Sequence, residues 1–169
     1  MVLIDCPPGE ELLHAEVLCA AKFVLIPTQP DDASIDGLAE VFDTYVSARA
    51  RNPSLEVLGV AIGPVSSAAT NLRASVRERL TSMLGTVVPV FDTIIRQSQA
   101  VAVQARSLGL LVHELEVLKK NSPKWWELPK EERKKRTIVD AAKLAEDYET
   151  LAAEIIARFT ERSGVAVAS

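Results

Sequence analysis

Val2-Leu3-Ile4-Asp5-Cys6-Pro7-Pro8-Gly9 opens the chain with an apolar run that stops at a carboxylate and turns at two prolines. The run is rich in Val, Leu and Ile and has no polar alternation. That is the pattern of a strand buried on both faces of a parallel sheet. The carboxylate would then stand at the C-terminal edge of the sheet, beside the crevice where open α/β folds bind ligands. An aspartate in that position suits Mg²⁺ held through water, because this hard ion prefers oxygen ligands. Pro7 and Pro8 stiffen the exit from the strand. The six residues from Ile4 to Gly9 leave open a plainer alternative, in which Asp5 caps the following helix.

Three further runs have the same character: Phe23–Pro27, Val57–Ile62 and Val87–Phe91. Segments of helical spacing lie between them. Glu11–Ala21 is one, and Ser34–Arg51 is a second, stopping before Asn52-Pro53. Thr70–Leu84 is a third, with Leu72, Val76, Leu80 and Met83 on one stripe and Gly85 at its end. Strands alternating with helices predict βαβ units with right-handed crossovers, hence an α/β fold with a parallel sheet flanked by helices. A central strand at residue 2 is unusual for a complete protein, and predicts a start set by truncation or by a misassigned first codon.

The 169 residues are enough for one domain, which at this size buries roughly 70% of its unfolded surface. A composition of 48% apolar and 25% charged residues is ordinary for a globular chain. The net charge of −4 argues against a surface coated in basic charge for nucleic acid, though not against a local basic patch. The apolar stretches fall short of the roughly 20 residues that span a bilayer. The N-terminus has neither a basic lead-in nor a small-residue cleavage site, so it is not read as a signal peptide. Cys6 and Cys19 form no close metal-ligand pair; the expectation is small buried side chains in a reduced, cytoplasmic protein. His14 and His113 lack a triad partner at any telling spacing and are expected to be structural or exposed.

After Gly109 the pattern changes. Residues 118–137 contain Pro123, Pro129 and Trp125-Trp126, and Lys119–Arg136 carries a net charge of +5 against −9 for the rest of the chain. This reads as an exposed basic connection. Its tryptophans would either stack on nucleic acid or a partner or pin the loop to the body. A long amphipathic helix is predicted over Ile138–Arg162, with Ile138, Ala142, Ala145, Tyr148, Leu151, Ile155 and Phe159 on one face. Gly164 ends it. The chain thus divides into a single domain over residues 1–163 and a loose tail over 164–169.

The order of these motifs resembles the ParA family of partition ATPases. Asp5-Cys6-Pro7-Pro8 is similar to the family's Walker B strand, which reads apolar-Asp-x-Pro-Pro. Phe23-Val24-Leu25-Ile26-Pro27-Thr28-Gln29-Pro30, followed by Gly37-Leu38, is similar to its next strand and Gly-Leu helix. Leu58-Gly59-Val60, Ala69-Thr70-Asn71-Leu72, and Ala145-Glu146-Asp147-Tyr148 with Leu151–Ile155 resemble later elements. Ile94-Ile95-Arg96-Gln97 stands where the family has an adenine-side loop. The Mrp-type iron–sulfur carriers fit less well, because this chain reads Glu10-Glu11 after Gly9 and has no C-terminal Cys-x-x-Cys. The MinD branch also fits less well. The polar face of the closing helix is acidic (Glu146, Asp147, Glu149, Glu154), whereas a membrane-surface helix favours basic residues.

The resemblance implies a partial deviant-Walker P-loop NTPase fold. In the complete protein it implies Mg²⁺ and ATP, ATP-dependent dimerisation, non-specific DNA binding and a ParB-type centromere-binding partner, in the cytoplasm and on the nucleoid. It assigns Asp5 to Mg²⁺, and Pro64, Ile95, Arg96 and Gln97 to the nucleotide. It assigns Arg73, Arg77, Arg96 and Arg106 to DNA, the plain alternative for each arginine being a solvated helix face. The family's phosphate-binding loop is missing: none of the seven glycines precedes a lysine. Without its backbone cradle and lysine nothing holds the transferred phosphoryl group. The chain alone is therefore expected neither to bind nucleotide tightly nor to hydrolyse it. A second reading is a truncated binding module that pairs with a full-length ParA-like chain or with DNA. A third, an unrelated enzyme using Asp5 as acid or base, lacks any visible nucleophile–base pair.

Overall fold

Glu56–Val65 (β2) is the middle strand of the sheet, with Phe23–Thr28 (β1) on one side and Val90–Arg96 (β3) on the other, all parallel. The computed structural model describes residues 2–6, 11–66, 70–85, 88–123, 127 and 138–164, with the side chains of residue 11 and residues 70–73 outside that description. Among the described residues the sheet has three strands in the order β1-β2-β3.

The middle strand shows why the apolar runs do not alternate with polar residues. Val57, Val60, Ile62 and Val65 point to one face, and Leu58 and Ala61 to the other. Both faces are covered, so both sets are apolar. Asp32–Asp36 (α2), Leu38–Arg49 (α3) and Thr70–Leu84 (α4) cover the first face, where Ile35, Leu38, Val76 and Leu80 pack on Ile26, Val60 and Ile62. Gln99–Leu108 (α5), Val112–Asn121 (α6) and Ala142–Ser163 (α7) cover the second, where Val101, Ala105, Leu115, Leu144 and Leu151 pack around Phe91 and Ile95. Each fully buried Leu or Phe in these layers contributes about 1.5–3 kcal/mol of transfer free energy.

The register slips once between β1 and β2, at Val24/Leu25, which face Val57 and Gly59. Gly59 has φ +157, and a Cβ there would lie 2.8 Å from the Pro89 carbonyl and 2.9 Å from the Phe91 ring. Only glycine fits both that backbone and that approach. The helix preceding β1, Glu11–Ala20 (α1), is tied down from the far end of α3. Asn52 Nδ2 donates to the carbonyls of Leu18 (3.0 Å) and Ala21 (2.7 Å), satisfying groups that a helix C-terminus leaves open.

Several expectations from the sequence are corrected. Val2–Cys6 is not a strand: the segment pairs with no strand among the described residues, and Val2 and Leu3 are more than four-fifths exposed. An apolar run becomes a strand only when a neighbour accepts its hydrogen bonds and covers its faces, and here none does. Cys6 is accordingly exposed rather than buried. The fourth run is displaced: β3 begins at Val90, not Val87, and continues through the polar Asp92-Thr93 to Arg96. The single helix expected over Ser34–Arg51 divides at Gly37 into α2 and α3. Asp31 caps α2, accepting from the Ser34 amide at 2.8 Å, a bond that holds its carboxyl below the ordinary carboxylate range.

Both α5 and α6 were missed as elements, and α6 extends to Asn121, into the segment read as an exposed connection. Trp125, Trp126 and the basic run 130–136 lie outside the described residues, as does the tail 165–169. α7 begins at Ala142 rather than Ile138. Its Tyr148 is half exposed, while Asp147, assigned to the solvated face, is buried. The parallel sheet, its flanking helices and the long C-terminal helix stand as expected.

Candidate functional site at the C-terminal edge of the sheet

Parallel strands deliver their C-terminal ends to one side, where the turns into the following helices leave a crevice. Here those ends are Thr28-Gln29, Pro64-Val65 and Arg96-Gln97. Val65 and Arg96 are register partners, and the Gln97 amide donates to the Val65 carbonyl at 2.7 Å. Pro64 and the segment Ile95–Gln97 are thus brought together by the pairing of β2 with β3. The two strands approach closely because Gly63 has no side chain: a Cβ there would lie 2.6 Å from that of Ile95. Pro64 and Gln97 are exposed, whereas Ile95 is buried in the core under α5 and α7 and offers no side-chain surface to a ligand.

Arg96 is engaged on α7. Its Nε and Nη2 donate to the two carboxylate oxygens of Asp147 at 2.6 and 2.7 Å, and its backbone amide donates to Asp147 Oδ2 at 2.8 Å. The fork-to-fork geometry is the strong form of a charge-assisted pair. Hydrogen bonding to Asp147 raises the guanidinium pKa above its already high ordinary value, so Arg96 is charged throughout. Together with Asp92, Thr93, Ile94, Glu146 and Thr150 the pair lines a polar cleft of about 350 Å³.

The other predicted residues are dispersed. Asp5 is exposed, on a segment outside any strand, so the sheet does not position its carboxylate. Arg77 on α4 pairs with Asp92 of β3, and that hydrogen bond, then the charge of Arg77, holds the Asp92 carboxyl below the ordinary range. Arg79, two residues on, pairs with Asp32 and Asp36 of α2. Arg106 is exposed in the last turn of α5. The side chain of Arg73 lies outside the described residues.

Sequence reasoning did not single out Asp147, Glu154, Arg158 and Arg162 of α7 as makers of structure. Glu154 accepts from the amides of Asp92 (2.8 Å) and Thr93 (3.0 Å) and from the Thr93 hydroxyl. Arg158 donates to the Leu58 carbonyl at 2.9 Å and lies 4.2 Å over the Phe91 ring. Arg162 reaches the Val57 carbonyl and Glu56. The available signal was their spacing, since residues 147, 154, 158 and 162 fall on one side of a helix.

Asp5 is a single exposed carboxylate, no group of three or more His, Cys, Asp or Glu among the described residues is placed to hold a metal ion, and the sequence has no Gly-Lys pair to cradle a phosphate. No described helix is long and apolar enough to cross a membrane.

A family model described as an AAA domain matches residues 1–57. An uncharacterized protein of Mycobacterium tuberculosis is 37% identical over 98 residues, covering 57% of this chain and 30% of the relative. The chromosome-partitioning ATPase Soj of Thermus thermophilus is 32% identical over 110 residues, covering 64% of this chain and 43% of Soj. The chromosome partitioning protein ParA of Caulobacter vibrioides is 37% identical over 62 residues, covering 36% of this chain and 23% of ParA. The chain thus spans less than half the length of these relatives. Over part of its length this chain is thus a distant relative of the ParA- and Soj-type ATPases.

Proposed function

We propose that this chain is part of a ParA-like partition ATPase and supplies its Walker B aspartate and nucleotide-side sheet edge, while the phosphate-binding loop comes from a separate polypeptide segment. The observation that carries this reading is the bare outer edge of β1. Among the described residues β1 pairs only with β2, Leu25 is exposed beside it, and Val2–Ile4 stands exposed without a strand partner. Complete ParA-like proteins place the phosphate-loop strand centrally, next to the Walker B strand. A strand entering there would cover the apolar surface and carry Asp5 to the crevice where Pro64 and Gln97 already sit.

In this reading DNA contact falls to Arg77 and to Arg73 four residues before it in α4, and separately to Arg106 on α5. Arg77 is released readily, because exposed ion pairs are worth about 1 kcal/mol or less. Arg96 is held by Asp147 and serves the fold first. Phosphate contacts of this kind give weak, sequence-independent and salt-sensitive binding.

The test is a chimera in which the part of Thermus thermophilus Soj that precedes its matched region is joined ahead of residue 1. Mg²⁺-dependent ATP turnover is expected in the chimera, lost on Asp5→Asn, and absent from the chain alone. A folded chimera without turnover, or turnover by the chain alone that Asp5→Ala abolishes, overturns the proposal. The bare β1 edge also favours a second reading, a non-hydrolysing module that joins a full-length ParA-like protein; co-purification with intact Soj and suppression of its turnover would support this reading.

A further inference from the structure

β3 is an edge strand with a broken ladder. Val90 pairs with Val60 and Ile94 with Ile62, so β3 carries two residues more than β2 over this stretch, and such a bulge leaves backbone groups off the ladder. The amides of Asp92 and Thr93 lie in the bulge, and both donate to Glu154. At the end of the strand the Arg96 amide donates to Asp147. The distances keep step. Seven helical residues from Asp147 to Glu154 rise about 10 Å, and the three strand residues from Arg96 back to Thr93 span about 10 Å. α7 therefore runs against β3 with its carboxylates at matching heights.

The same face continues with the opposite charge. Four residues beyond Glu154, Arg158 donates to the Leu58 carbonyl, and four beyond that, Arg162 donates to the Val57 carbonyl. The acids of α7 meet backbone donors and its arginines meet backbone acceptors. An uncovered edge strand is a template for pairing with another chain; among the described residues the carboxylates of α7 take up three β3 amides, and Arg77 of α4 donates to the Asp92 carbonyl. We propose that α7 is a clasp over the β3 edge, and that its Asp147 and Glu154 keep that edge from pairing with the same edge of a second copy.

Residue-resolved amide exchange and concentration-dependent light scattering on the full chain test this. In Glu154→Ala, exchange at Asp92 and Thr93 is expected to quicken roughly tenfold, as for loss of a hydrogen bond to a charged group, while the Val60 amide, bonded to Pro89, stays protected. Glu154→Gln keeps one acceptor oxygen in place of two and is expected to retain protection at one of the two amides while the other quickens. Asp147→Ala with Glu154→Ala is expected to self-associate at lower concentrations than the parent, with Tyr148→Ala on the exposed side of α7 as the unchanged control. Parent-like exchange at Asp92 and Thr93 in Glu154→Ala overturns the proposal. So does a double variant that associates no more than the parent, or a rise shared equally by Val60, Asp92 and Thr93 in Glu154→Gln, which would mark general loosening.

Discussion

The two edges of the sheet are finished in different ways. Among the described residues the outer edge of β1 has no strand beside it, Leu25 on its face is 40% exposed, and the apolar Val2–Ile4 joins no strand. The β3 edge is closed by a 22-residue helix whose side chains reach the strand backbone at Asp92, Thr93 and Arg96. Both edges border an apolar core, so hydrophobicity does not separate them. What separates them is where the backbone hydrogen bonds go, an account that every buried strand must balance.

The largest effect expected from this contrast is in packing. Phe91→Ala, which empties a fully buried ring position beside α7, should cost about 3–5 kcal/mol. Leu25→Ala at the bare edge should cost less than about 1 kcal/mol. Denaturant titration of the two variants measures both, and equal losses would mean that the β1 edge is covered in solution. Next comes Asp147→Ala, which strips Arg96 of three hydrogen bonds and should cost about 1.5–3 kcal/mol. An unchanged midpoint would remove Asp147 from the clasp.

A smaller effect, confined to the open side, is expected of Asn52→Ala. It frees the Leu18 and Ala21 carbonyls and should cost about 1 kcal/mol, read as faster proteolysis within α1 while β3 stays protected. Uniform loosening would show that α1 is integral to the core. The smallest is the exposed pair of Arg77 with Asp92, at about 1 kcal/mol or less. Because Arg77 depresses the Asp92 pKa, the stabilisation is present above the unfolded carboxylate's pKa and is lost as pH falls through the lower, folded value. A double-mutant cycle should show coupling at neutral pH that fades in strong acid and at high salt. Coupling that survives both would place the pair in a drier setting than its exposure indicates.

The sequence was most legible where a pattern needs no partner to interpret it. Phe23–Pro27 and Val57–Ile62 became β1 and the heart of β2 because an unbroken apolar run suits a strand covered on both faces. Gly85 ended α4 as expected. β3 was misplaced because its bulge puts Asp92 and Thr93 in mid-strand, where their amides are satisfied from α7 rather than along the ladder. Asp147 and Glu154 were read as a solvated face because a helix carries no mark of what lies opposite it. Of the residues proposed to bind nucleotide, Pro64 and Arg96-Gln97 do converge, through the parallel pairing that the alternation of strands and helices predicted.

By itself the sequence determined the class of fold, the parallel layering and the distant kinship with partition ATPases. All of these are local patterns or residue identities. Only the tertiary structure decided that Val2–Cys6 stays outside the sheet, that Arg96 is held by Asp147, and that α7 closes the β3 edge while, among the described residues, nothing pairs with the outer edge of β1. The physical reason is that a strand, a buried ion pair and a capped edge each need a second element to supply hydrogen bonds and cover. That second element is far away in sequence: residues 147 and 154 answer residues 96 and 92–93, and no local pattern links them.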